Sequence, residues 1–214
     1  MDELVIYCAD VGSVPKGNFG WARSGIEGKV EFHDGGTEIV DLVSAVARDI
    51  ERGCPVALGF ECPLFVPVPQ NPLRLGAKRA GEPIAFSASA ASGALVTGVI
   101  QVAWVLRELH GILGPIPVFQ DWHEFVEARG GLFLWEALVS GAAKAGTHMD
   151  DAVAAVAAFR QALPDPEVRN AVEVEGDVLS LVSAALIWAG WPAVRSDLRT
   201  PCIVVAAVAG PGHV

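Results

Sequence analysis

The chain predicts an α/β fold in which an antiparallel three-strand meander joins parallel strands in one mixed sheet flanked by helices. Three observations predict it. Residues 4–9 (LVIYCA) form an apolar run without alternation, as a strand buried on both faces requires. Residues 56–60 (VALGF) form a second such run, which ends on Glu61 and a proline-containing turn. Between them, residues 19–24 (FGWARS) and 29–33 (KVEFH) alternate and are separated by a glycine-containing turn, so they read as the rest of a meander.

Taken in order, the first strand ends at Asp10 and gives way to VGSVPKGN, a loop whose backbone amides can approach an anion and which carries Lys16. Thr37 is the expected N-cap of a helix that sets Ile39, Leu42, Val43, Val46 and Ile50 on one face and stops at Gly53. Three strands, a helix and then a strand parallel to the first would put Asp10 and Glu61 at neighbouring carboxyl ends, roughly 5 Å apart. Ligands of open α/β sheets sit at those ends.

Residues 62–92 contain five prolines together with Arg74, Lys78 and Arg79, and are too long for a plain connection, so they are expected to form a functional loop or lid. A helix over 94–109 closed by Gly111, a short extended piece over 116–119 and a short helix over 122–129 follow. Residues 132–137 (LFLWEA) read as a strand with Glu136 near its end. His148 and Asp151 then open an alanine-rich helix whose small residues allow close packing on the sheet. A helix over 178–189, with Asp177 or Ser180 near its start, and a strand over 203–208 complete a single domain, 1–214.

Composition narrows the partners. Hydrophobic residues make up 52% of the 214 and charged ones 19%, which implies two-sided burial or an oligomer interface. A net charge of -10 disfavours avid nonspecific binding to nucleic acid, though a local basic patch can still exist. The first nine residues carry acids and no basic stretch, so they do not read as a signal peptide, and no apolar run reaches spanning length without glycine or charge. A cytoplasmic protein without membrane contact is the expectation. Cys8, Cys54, Cys62 and Cys202 form no CxxC pair and read as buried reduced thiols.

The order of parts resembles the ribonuclease H-like superfamily. The fragment ADVGSVPKGNFGWA is similar to the Asp-x-Gly loop and following Gly-x-Ala strand of its Holliday-junction-resolvase-like branch. The run VALGFECPLFVP is similar to the fourth strand of the uncharacterised family called domain of unknown function four-two-nine, where an acid-x-Pro turn stands in the same place, often with Asp at the position of Glu61. His148-Met149-Asp150-Asp151 is similar to the element that opens the last helix of that branch. The resemblance implies metal-assisted phosphoryl hydrolysis by a nuclease or phosphodiesterase acting on nucleic acid or a nucleotide, with Mg²⁺ or Mn²⁺ as cofactor. Two such ions roughly 3.5 to 4 Å apart would be held by carboxylates. Asp10 would bridge them, Glu61 and Asp151 would complete the two sides, and His148 or Lys16 would orient water or a phosphate. Lys16, Arg74, Lys78 and Arg79 are the implied substrate-binding cations. The third acid stays open among Asp150, Asp151 and Asp177.

Each residue also has a plainer reading. Asp10 can simply end a strand, and Glu61 can pair with Arg74 or Arg79. Acids at 150 and 151 suit any helix N-terminus, His148 can cap or pack, Asp177 can be an N-cap and Glu136 can be a buried ion-pair partner. Arg74, Lys78 and Arg79 can be a solvated loop surface. The six tryptophans read as core or oligomer contacts, because none lies among basic residues. Two further functions fit the same chain: a nucleotide- or phosphometabolite-binding protein, and a non-catalytic subunit of a homo-oligomer.

Overall fold

In the computed structural model, which describes residues 3–27, 30–82, 85–87, 91–191 and 198–207, seven strands form one mixed sheet and five helices cover it. Strand β1 (Val5–Asp10) pairs antiparallel with β2 (Gly20–Glu27), and β2 pairs with β3 (Val30–Gly36). Helix α1 (Ile39–Glu51) then returns the chain so that β4 (Val56–Phe60) lies parallel to β1, with Ala9 opposite Phe60. That register sets Asp10 and Glu61 side by side. After β5 (Phe65–Pro67), α2 (Ser92–Leu113), β6 (Val118–Phe119) and α3 (Trp122–Ala128) comes β7 (Leu132–Val139), which is parallel to β4. The order β3-β2-β1-β4-β7, antiparallel first and parallel after, is the expected mixed sheet and is consistent with a ribonuclease H-like arrangement.

The far side of β7 is shared. Strand β6 pairs with its first residues, and β9 (Val204–Ala207), which follows α4 (His148–Ala162), β8 (Val178–Ser180) and α5 (Leu181–Trp188), pairs with its last four.

Strand alternation sorts the core into two layers. Tyr7, Leu58, Phe60, Leu134 and Leu138 face α1, α2 and α5. Cys8, Ala57, Phe133, Trp135 and Ala137 face α3 and α4. Ala152 and Ala155 are fully buried on α4, and their small side chains let that helix lie close over β1 and β2.

Several elements differ from the expectation for a physical reason. Residues 178–180 pair antiparallel with Phe65–Pro67, so the backbone of the expected first helical turn is spent as β8. The helix starts at Leu181, capped by Ser180, whose hydroxyl accepts the Ser183 N–H. Asp177 therefore caps nothing; it is exposed, 3.9 Å from Arg199. Helix α1 begins after Glu38, one residue beyond the expected Thr37 cap, and its C-terminal turn ends at Gly53 in the left-handed region (φ 85°). Helix α2 runs through Gly111 to Leu113, with Gly114 as its C-cap. It is long and apolar enough to cross a membrane, and it buries Gly98, Gln101, Val102, Val105, Leu106 and Leu109. Trp21, Trp122, Trp135 and Trp191 are core residues, whereas Trp188 is exposed. Lys29, residues 83–84 and 88–90 of the proline-rich segment, and Val208 lie outside the described residues.

Candidate metal centre

Asp10 is the last residue of β1 and Glu61 the first after β4, and both share the sheet face of Cys8 and Ala57. Helix α4 crosses that face. Its approach depends on Gly20, the residue paired with Asp10: a Cβ there would stand 2.3 Å from the Met149 nitrogen. The first turn of α4 consequently sits directly on β2, which delivers His148 and Asp151 to the strand ends.

The three carboxylates of Asp10, Glu61 and Asp151 converge, with one ligand oxygen from each lying within 4.8 Å of the others, and all three residues are buried. Asp151 is thereby the third acid. Asp150, its neighbour, is turned outward into a reciprocal cap with Thr147: the Asp150 N–H donates to Thr147 Oγ1 at 3.1 Å and the hydroxyl donates back to Asp150 Oδ2 at 2.6 Å.

Hydrogen bonds hold two of the acids. His148 Nδ1 lies 2.5 Å from Asp10 Oδ2, and Asp151 Oδ1 accepts the Ala145 N–H at 2.6 Å. Lys144 Nζ lies 3.2 Å from Asp151 Oδ2 and 3.6 Å from Glu61 Oε1. Glu61 Oε2 is fully buried, and among the described residues no hydrogen bond is donated to it. A buried carboxylate oxygen that accepts no hydrogen bond is costly, and a cation among the three acids would relieve that cost.

Electrostatics agree with this geometry. Two carboxylates at that separation repel by about 3 to 4 kcal/mol at an effective dielectric near 20, the equivalent of about two to three pKa units. Glu61 accordingly is pushed up to about 9, first by burial and then by the charge of Asp10. Burial raises Asp10 as well, against the lowering pull of His148 and Lys144, and protonated Glu61 donates to it. Burial would lower Lys144, but the charges of Glu61, Asp151 and Asp10 raise it.

The expected substrate cations are placed elsewhere. Arg79 is buried on the opposite sheet face, where its guanidinium meets Glu136 at 2.5 Å and Glu82 at 2.7 Å and lies over the Phe65 ring. This corrects its reading as a substrate residue facing the acids, and it gives Glu136 the role of a buried ion-pair partner. Arg74 and Lys78 line a cavity of about 260 Å³ with Glu173, Glu175 and Asp177, and no acid of the triad lines it. Lys16 is exposed on the turn after β1, and among the described residues no hydrogen bond or ion pair joins it to the acids. The proline-rich segment thus closes over β8 and its flanking residues.

Lys144 is the residue the sequence reading missed. It is the only cation between β7 and α4, and that position is the one signal that could have singled it out. On the other face, α2 braces both acid-bearing strand ends. Gln101 Nε2 donates to the Gly12 carbonyl at 2.5 Å, and a Cβ on Gly98 would stand 2.3 Å from that of Cys62. Compared with protein-family models, curated proteins and solved structures, the chain has no match.

Proposed function

We propose that the protein is a metal-dependent phosphodiester hydrolase of ribonuclease H-like fold, in which Asp10, Glu61 and Asp151 hold Mg²⁺ or Mn²⁺. The observation that carries this reading is the convergence of Asp10, Glu61 and Asp151, all buried, with one oxygen from each within 4.8 Å of the others and Glu61 Oε2 accepting no hydrogen bond among the described residues. An all-carboxylate donor set favours hard divalent ions such as Mg²⁺ and Mn²⁺ over zinc or copper. When bound, such an ion supplies a Lewis acid that polarises the phosphoryl oxygen and eases deprotonation of water. The residues supply the rest: Asp10 is oriented by His148, Asp151 by the Ala145 N–H, and the half-exposed His148 ring is available to a water or phosphate at the mouth. The resemblance of the Asp-x-Gly loop and acid-x-Pro turn to the four-two-nine family supports the same assignment.

The acidic net charge, and the seating of Arg74, Lys78 and Arg79 away from the acids, favour a small phosphate ester or nucleotide over a long nucleic acid. A cytoplasmic location belongs to this reading, supported by the buried thiols of Cys8, Cys62 and Cys202. So does self-association, supported by exposed Val96 and Ile100 on α2 and Ile187 and Trp188 on α5.

The test is hydrolysis of single- and double-stranded DNA and RNA, nucleotides and a generic phosphodiester, each with Mg²⁺, Mn²⁺ or chelator. Metal-dependent turnover that disappears in Asp10→Asn is expected. Turnover indifferent to that substitution excludes the assignment, whereas nucleotide binding without cleavage replaces it with a binding protein.

A further inference from the structure

Three buried acids at one point need positive charge close by, and Lys144 supplies it from the loop between β7 and α4. Two features of that residue point beyond a fixed structural ion pair. Its side chain is 51% exposed although both carboxylates it touches are almost wholly buried, so the ammonium enters from the solvent side and has an exit. The loop, moreover, does not depend on the ammonium for its position, because the Ala145 backbone N–H is bonded to Asp151 Oδ1 at 2.6 Å and Thr147 caps the helix that follows. An ammonium on a four-carbon stem can leave such contacts without moving backbone.

We infer that Lys144 is a displaceable counter-ion: its ammonium sits against Glu61 and balances Asp151 in the metal-free protein, a divalent cation takes over those oxygens, and the released side chain is presented at the mouth to an anionic substrate. The inference rests on the reading of the triad as a metal site. Charge arithmetic sets the direction. One ammonium reaches two of the three acids, whereas a divalent ion among them meets all three with twice the charge, so the ion wins the competition but binds more weakly for having to compete. Lys144 thereby lowers resting affinity and couples metal loading to the appearance of a free cation where a phosphate would dock.

Calorimetric titration of Mn²⁺ into the wild-type protein, Lys144→Met and Lys144→Arg tests this, with acetylation of Lys144 in the wild type followed by peptide mass spectrometry. Lys144→Met is expected to bind Mn²⁺ about tenfold more tightly, the equivalent of roughly one moderately buried charge contact, while Lys144→Arg stays close to wild type. Saturating Mn²⁺ is expected to speed acetylation of Lys144 several-fold. Equal or weaker binding by Lys144→Met, or an acetylation rate unmoved by Mn²⁺, overturns the inference, and the second measurement needs no variant to fold. Asp10→Asn separates the two levels: Mn²⁺ binding that survives this substitution, or none in any of the proteins, overturns the metal site itself.

Discussion

Glu61 is the residue on which pH acts most directly. Burial and the Asp10 charge raise it to about 9, so the folded metal-free protein keeps a proton that an unfolded chain releases near the ordinary glutamate value of about 4.3. A raised pKa means that its contribution to stability is complete below the unfolded value and is lost as the pH climbs toward 9. Over the same interval a metal ion competes with fewer protons and gains affinity. The Tm of metal-free wild type should therefore fall relative to Glu61→Gln from about pH 5 to about pH 9, while the Mn²⁺-induced rise in wild-type Tm grows; scanning fluorimetry across that range checks both, and parallel curves would contradict the assignment. Asp151→Asn should weaken Mn²⁺ binding by about 100-fold or more, because a first-contact ligand matters at least as much as the groups that orient it. Asp150→Asn, which alters only the cap, should leave that affinity within about twofold. Asp10 and Glu61 were legible in the sequence because each ends an apolar run, and an acid there has few positions to occupy. Lys144 was not, since one lysine in a Gly/Ala turn carries no local mark of what it meets.

At the scale of elements, the site depends on how closely α4 approaches the sheet. Gly20 is where that approach is decided, and adding one methyl there forces the N-terminal turn of α4 away from β2. Gly20→Ala should cost about 1 to 3 kcal/mol in urea denaturation, as overpacking does, and should also weaken Mn²⁺ binding in the folded protein because His148 and Asp151 move with the helix. Unchanged metal affinity in a destabilised Gly20→Ala would mean that α4 tolerates the shift without carrying its acid along. Most elements could be read from periodicity, because the 3.6-residue and two-residue repeats are local properties. The exception at residues 178–180 is instructive: VLS followed by an apolar stretch fits a helix by pattern, and only the distant edge of Phe65–Pro67 turns it into a strand. The reach of α2 beyond Gly111 has the same character, since packing against α1 and α5 outweighs the modest cost of one helical glycine.

For the whole molecule, the Asp10–Glu61–Asp151 group and the Arg79 cluster occupy opposite faces of one sheet, and the first brings an oxygen from each of three acids within 4.8 Å. The Arg79 cluster is self-sufficient, with both oxygens of Glu136 and Oε1 of Glu82 bonded to the guanidinium and Ser87 donating to Glu82. Arg79→Met should cost about 3 to 5 kcal/mol, because it leaves buried carboxylates uncompensated. Mn²⁺ affinity of the protein that remains folded should stay within about twofold of wild type, as expected for perturbations at separate sites. A large loss of metal affinity with little loss of stability would instead return Arg79 to the functional centre. The sequence by itself determined the mixed sheet, the parallel placement of its two apolar strands and the meeting of Asp10 with Glu61, because strand burial, alternation and chain order restrict those outcomes to very few arrangements. Only the tertiary structure decided that Asp151 and not Asp150 or Asp177 joins them, that Lys144 is the attending cation, and that Arg79 is sealed on the far side. Those choices turn on the rotation of one helix about its axis and on which face a long loop folds over, and both are set by contacts between residues scores of positions apart.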